Sequence, residues 1–153
     1  MKILVMGLPK TGKTFLSKAL QAKLNCGWFN ADAVRQMAND WEFDTEARIR
    51  QARRMRNLAD FEKGCGHTVI CDFICPTDLT RSIFEADFTI WCDTLKRSDY
   101  QDTNTIFKPP TNYNIRVKQW TDAKKLCSYL EGGNLGTEDI PSFLNELSKQ
   151  LDK

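Results

Sequence analysis

The stretch Gly7-Leu8-Pro9-Lys10-Thr11-Gly12-Lys13-Thr14 spaces two glycines, a lysine and a hydroxyl as phosphate binding requires. Glycines allow backbone N–H groups to converge on phosphate oxygens, and a helix N-terminus favours the negative charge they surround. In that pattern Lys13 reaches the β- and γ-phosphates and the Thr14 hydroxyl ligands Mg²⁺. All eight residues are therefore read as binding the phosphates of a nucleoside triphosphate. Lys13 is also read as a surface point charge whose loss would leave the fold intact.

Phosphoryl transfer to a hydroxyl also needs a proton acceptor and a way to hold the second substrate. Two carboxylates follow short apolar runs: Asp32 after Trp28-Phe29, and Asp72 at the end of Val69-Ile70-Cys71. Either could take a proton or hold Mg²⁺ through water. Asp32 could instead cap a helix starting at Ala33, and Asp72 could cap a loop. Arg48, Arg50, Arg53, Arg54 and Arg56 fall within nine positions, too many for one helix face. For Arg50, Arg54 and Arg56 the plain reading is a solvated basic face. An anionic acceptor would engage one or two guanidiniums of such a helix.

These groups need a scaffold that brings the ends of several strands together. The chain alternates apolar runs with helical periods, the signature of βα units around a parallel sheet. Strands are expected at Ile3–Met6, Trp28–Phe29, Thr68–Ile74, Phe88–Cys92 and Tyr113–Val117. Helices are expected at Lys13–Leu24 and Thr45–Lys63, with an amphipathic last helix over about 138–152. Residues 93–112 are polar, lack a pattern and end in Pro109-Pro110, which suggests a lid-like loop. Residues 131–137 form a turn-rich connector. The expected fold is an α/β, three-layer α/β/α sandwich with a parallel sheet of about five strands, forming one domain over 1–153.

Composition narrows the function classes. A formal net charge of +2 gives no indication of a nucleic-acid or membrane-surface binder, and no apolar run approaches the length of a membrane span. The run Ile3–Met6 is too short for a signal peptide. The six cysteines show neither a CxxC pair nor ligand spacing, so they read as reduced core residues of a cytoplasmic protein. His67 reads as a surface loop residue. No Asn-Lys-x-Asp motif is present, which argues against a GTPase.

Taken together, the loop, Asp32 and the arginine helix resemble the adenylylsulfate kinase (APS kinase) family of P-loop kinases. That family transfers the γ-phosphate of ATP to the 3′-hydroxyl of adenosine 5′-phosphosulfate. Its loop commonly reads GLSGAGKS/T, against GLPKTGKT here. Its Asp-Gly-Asp-Asn-Val-Arg segment aligns with Asn30-Ala31-Asp32-Ala33-Val34-Arg35. Its Phe-Ser-x-x-Asp-Arg-x-x-Asn-Ile-Arg-Arg stretch aligns with Phe43 through Arg54, and its Phe-Ile-Ser-Pro with Phe73-Ile74-Cys75-Pro76.

The resemblance covers roughly residues 1–92. It implies catalytic roles for Lys13 and Asp32, with Asp32 as general base. It implies that Arg35 and Arg53 hold the phosphosulfate, that Phe43 stacks on the acceptor adenine, and that Arg48, Phe73 and Ile74 complete the acceptor site. The implied partner is a small anionic acceptor, with a homodimer left open.

The chain departs from the family pattern at Ala47, Gln51 and Ala52, within the stretch Phe43 through Arg54, and in further places. Asn30 and Ala33 replace an Asp and an Asn, and residues 93–114 lack the family's basic Lys-Gly-Leu-Tyr-Lys-Lys run. Two other readings stay open: a kinase for another hydroxyl (nucleoside, sugar or polynucleotide 5′ end), and a nucleotide-binding regulatory protein without turnover.

Overall fold

A computed structural model describes residues 1–135 and 139–151. Five strands form one all-parallel sheet: β1 Lys2–Met6, β2 Gly27–Asn30, β3 Val69–Asp72, β4 Phe88–Cys92 and β5 Ile115–Val117. Their order is β2-β3-β1-β4-β5. Among the described residues seven helices connect and flank them: α1 Lys13–Leu24, α2 Ala31–Ala38, α3 Thr45–Gly64, α4 Asp78–Phe84, α5 Gln101–Ile106, α6 Trp120–Leu130 and α7 Ile140–Ser148.

The period-2 alternation of β1 divides the core into two layers. Ile3 and Val5 pack with Leu16, Leu20 and Leu24 of α1 and with Leu126 and Leu144 of α6 and α7. Leu4 and Met6 point to the other face, against Ala52, Met55 and Ala59 of α3 and Phe84 of α4. Both faces of β1 are thus covered, which is why Lys2–Met6 is buried throughout. The result is the three-layer α/β/α sandwich expected from the sequence.

Parallel register places the carboxyl ends of the strands at one edge, where ligands of such sheets bind. Val5 and Asn30 both pair with Asp72, and Met6 pairs with Trp91. The phosphate loop, the start of α2 and the end of β3 therefore meet.

Two boundaries are shorter than expected. β3 ends at Asp72 and β5 begins at Ile115. The patternless stretch expected over 93–112 contains helix α5. Its sequence, QDTNTI, has no apolar stripe to reveal it. The connector over 131–137 and the helix over 138–152 extend in part outside the described residues.

All six cysteines are free; Cys71, Cys75 and Cys92 are buried. Burial pushes the Cys75 and Cys92 thiols up to about 12, so they sit in the core as inert apolar groups. His67 is exposed and pairs with Glu62 at 2.9 Å. Among the described residues no helix is long and apolar enough to cross a membrane.

Candidate active site

The phosphate loop begins where β1 ends. Gly7 adopts φ 147° beside the end of β4, where a Cβ would overlap the Cys92 carbonyl oxygen. Gly12, at φ 102°, precedes α1, and a Cβ there would stand 3.0 Å from the Trp120 ring. Both positions therefore require glycine. The Thr11 hydroxyl donates to the Leu8 carbonyl at 2.7 Å, and Lys13 Nζ donates to the same oxygen at 2.8 Å. Lys13 is half-buried, which corrects its reading as a surface charge: it closes its own loop. Burial pushes its pKa down, while the carboxylates of Asp72 and Asp32 pull it up.

Asp72 is 2% exposed at the end of β3. Its carboxylate accepts from Trp28 Nε1 and from Asn30 Nδ2, the latter at 3.1 and 3.2 Å to its two oxygens. Burial raises its pKa, and the bonds from Trp28 and Asn30 and the charge of Lys13 oppose the shift. Asn30 also caps α2, its Oδ1 accepting from Ala33 N at 3.1 Å. The cap is thus Asn30 and not Asp32. Asp32 lies in the first turn of α2, exposed and lining the cleft, with no protein hydrogen bond among the described residues.

The cleft has a volume of about 640 Å³. Lys13, Thr14, Asp32 and Asp72 line it together with Arg35, Phe43 and Arg48. Phe73 and Ile74 line it too. Arg35 donates from Nη1 to the carbonyls of Asp40 and Glu42 at 3.1 and 2.8 Å, and its guanidinium lies 4.4 Å from the Phe43 ring centroid. Arg48 is 6% exposed; its Nε donates to the Phe43 carbonyl at 2.7 Å. Two guanidiniums therefore flank one aromatic ring.

The rest of the arginine helix divides differently from the sequence reading. Arg53 is exposed and is not among the residues lining the cleft, so the structure does not bring it to Arg35. Arg50 and Arg54 are not a free basic face. Both grip Asp40, at 2.8 and 3.0 Å, and hold its carboxyl well below the usual carboxylate range. Because the Asp40 carbonyl receives Arg35, this pair of arginines fixes the turn that orients Arg35. Arg56 pairs with Asp60 on the surface of α3.

The segment after β4 crosses the cleft. Tyr100, Asp102 and Thr103 line it. Arg48 Nη2 donates to Thr103 Oγ1 at 3.0 Å, and Thr94 Oγ1 donates to the Thr11 carbonyl at 3.1 Å. The lid segment is thus tied to both the phosphate loop and α3.

A family model described as adenylylsulphate kinase matches residues 1–121. The chain belongs to the adenylylsulphate kinase family. No curated protein matches the sequence. The fold is similar to that of the APS kinase of Mycobacterium tuberculosis in complex with AMPPNP and APS. That match has 17% identity and a TM-score of 0.66, covering 86% of this chain and 97% of that one. A cysteine-to-alanine mutant of the same organism's APS kinase matches at 20% identity and TM-score 0.65, covering 84% and 92% of the two chains. Shikimate kinase from Aquifex aeolicus matches at 15% identity and TM-score 0.60, over 95% and 97%. These likenesses share the P-loop kinase fold.

Within the adenylylsulphate kinase family frame, Lys10 stands where the family loop commonly has glycine. Its φ of 64° is left-handed, which explains that glycine and marks Lys10 as strained. Sequence reasoning missed Trp28, Trp41, Gln51 and the lid residues Tyr100, Asp102 and Thr103. The Trp28 contact had no sequence signal, since its indole N–H reaches Asp72 across 44 positions.

The donor set suits Mg²⁺. Thr14 offers a hydroxyl, Asp32 and Asp72 offer carboxylates on the same cleft, and the hydrogen-bond donors to Asp72 are both neutral. Among the described residues no group of three His, Cys, Asp or Glu side chains gathers to hold a metal. A few oxygen ligands completed by water and phosphate is the arrangement Mg²⁺ favours.

Proposed function

We propose that this chain is an ATP- and Mg²⁺-dependent kinase that phosphorylates a hydroxyl of an anionic small molecule, with adenosine 5′-phosphosulfate as the leading acceptor. One observation carries the reading. A single cleft is lined by the phosphate-loop Lys13 and Thr14, the unpartnered carboxylate of Asp32, and the guanidiniums of Arg35 and Arg48 beside Phe43.

In this reading the eight loop residues hold the triphosphate and Lys13 leaves the Leu8 carbonyl for the transferring group. Thr14 would hold Mg²⁺, with Asp72 or Asp32 contributing through water. Mg²⁺ supplies neutralisation of phosphate charge. Asp32 accepts the hydroxyl proton, because its carboxylate is exposed to the cleft and tied to no protein group among the described residues. Arg35 and Arg48 hold the acceptor's anionic group by charge-assisted bonds, and Phe43 with Phe73 and Ile74 contacts its base. Arg48 thus takes the place that the sequence resemblance gave to Arg53.

A second reading has its own support. The lid segment here carries Asp99 and Asp102 and no basic run, which suits a hydroxyl acceptor of lower negative charge. ADP release measured with adenosine 5′-phosphosulfate, nucleosides, shikimate and simple sugars separates the two. The leading reading expects stimulation by the phosphosulfate alone. Stimulation by an uncharged acceptor with none from the phosphosulfate overturns it in favour of the second.

A further inference from the structure

The lid segment meets the phosphate loop and α3 through carboxylates. Asp99 Oδ2 accepts from Lys10 Nζ at 2.9 Å, and Lys10 belongs to the phosphate loop. Asp102 Oδ2 receives Arg48 Nη2 at 3.5 Å, beside the 3.0 Å bond from that same nitrogen to Thr103. The two carboxylates are 75% and 68% exposed, so returning either to water is cheap. Arg48 is in the opposite position. Its side chain is 6% exposed, and a buried guanidinium without an anion is costly. Burial already pushes its pKa down, and Asp102 pulls it back up.

The asymmetry has a consequence for ligands. A cation that is expensive to leave alone, paired with an anion that is easily released, forms an exchangeable pair. An incoming sulfate or phosphate makes shorter, bidentate bonds to guanidinium than a single oxygen at 3.5 Å. We propose that Asp102 is an internal stand-in for the acceptor's anionic group, displaced from Arg48 when that group binds, and that it sets the charge selectivity of the acceptor site. Anions too weak to displace the carboxylate from Arg48 are rejected. The proposal rests on Arg48 being the acceptor's cation, as in the proposed function.

Calorimetric binding of adenosine 5′-phosphosulfate, together with thermal shift in inorganic sulfate, tests it on the full chain. The proteins are wild type, Asp102→Asn, Asp102→Glu, and Arg48→Ala alone and combined with Asp102→Asn. Asp102→Asn is expected to bind the phosphosulfate about three- to tenfold tighter at low ionic strength, the gain narrowing with added salt. It should also respond to lower sulfate concentrations than wild type. Asp102→Glu should behave as wild type. The gain should vanish in the Arg48→Ala background, which isolates the pair from a general charge effect.

Unchanged or weaker anion binding by Asp102→Asn, in both probes, overturns the proposal and leaves Asp102 as a group that merely orients Arg48. The sulfate measurement keeps the two claims apart. A sulfate response tightened through Arg48, without any phosphosulfate binding, supports the stand-in while removing the phosphosulfate reading.

Discussion

Asn30 lies beside Asp72 on neighbouring strands, and its amide donates to both carboxylate oxygens, at 3.1 and 3.2 Å. The same side chain caps α2 through its other end. One residue therefore fixes a buried carboxylate and the first turn that carries Asp32. Asn30→Asp, which restores the family's residue, keeps the cap but sets a second negative charge against Asp72. The expected loss of stability is about 1–3 kcal/mol at pH 7, because a buried acceptor loses its donor. Like charges raise both pKa values, so the loss should shrink as pH falls and the pair takes up a proton. Thermal denaturation of both proteins from pH 5 to 8 reads this.

Asp72→Asn separates stability from activity in the opposite direction. Burial raises the Asp72 pKa, so its ionisation opposes folding at every pH above the raised value. That penalty fades as pH falls towards the ordinary carboxylate range and is absent below it. The amide can still accept from Trp28 and Asn30. At pH 7 the variant's Tm should equal or exceed that of wild type, with the advantage disappearing in acid. Its turnover should fall by about 10²-fold or more through weakened charge stabilisation. A lower Tm at pH 7 would show that the Lys13 attraction outweighs the burial penalty.

Asp32→Asn should leave the Kd for ATP nearly unchanged and lower kcat by about 10²–10⁴-fold, the usual worth of a positioned base. Because Asn30 holds the cap, little stability should be lost beyond about 0.3–1 kcal/mol of helix-dipole interaction. Full turnover in the variant would move the base to Asp72.

Arg35→Ala and Arg48→Ala should each raise the acceptor KM by about ten- to a hundredfold, each charge-assisted contact contributing about 1.5–3 kcal/mol. The KM for ATP should hardly move. Arg53→Ala, on the exposed face of α3, is the control and should change neither. Arg50→Ala is unsuitable as a control, since Arg50 holds Asp40 and through it the turn that orients Arg35.

Lys10→Gly should stabilise the chain. Relieving a left-handed non-glycine residue is worth about 1 kcal/mol, or about 2–4 °C in Tm for a chain of this size. The exposed ion pair with Asp99 that is lost with it contributes less. A fall in Tm would mean that the loop conformation is held by Lys10 and not merely tolerated.

The parts that could be read from the sequence are those written in consecutive residues. The phosphate loop, β1 and the phase of α1 are local patterns, and the strand ends delivered Asp32 and Asp72 to one edge. The cap of α2 was misplaced because Asn and Asp cap equally well and both stand in the same four residues. Five arginines in nine positions cannot be phased by spacing alone: of the two expected at the acceptor site, Arg48 lines the cleft and Arg53 does not. The Arg48–Asp102 contact spans 54 positions and α5 has only six polar-rich residues. Such pairings arise from tertiary packing and leave no local trace.

In the proposed reaction this cleft passes phosphate from ATP to a hydroxyl of an acceptor whose anionic group Arg35 and Arg48 hold. The most direct measurement follows the label of γ-phosphate-labelled ATP incubated with adenosine 5′-phosphosulfate and Mg²⁺, with wild type and Lys13→Met. Methionine keeps most of the lysine stem and removes its charge, so the fold can be checked beside the rate. Label is expected on the 3′-hydroxyl of the phosphosulfate with wild type, and its transfer should fall by about 10²-fold or more with folded Lys13→Met. Label released only as inorganic phosphate, or transfer that persists in Lys13→Met, would contradict it.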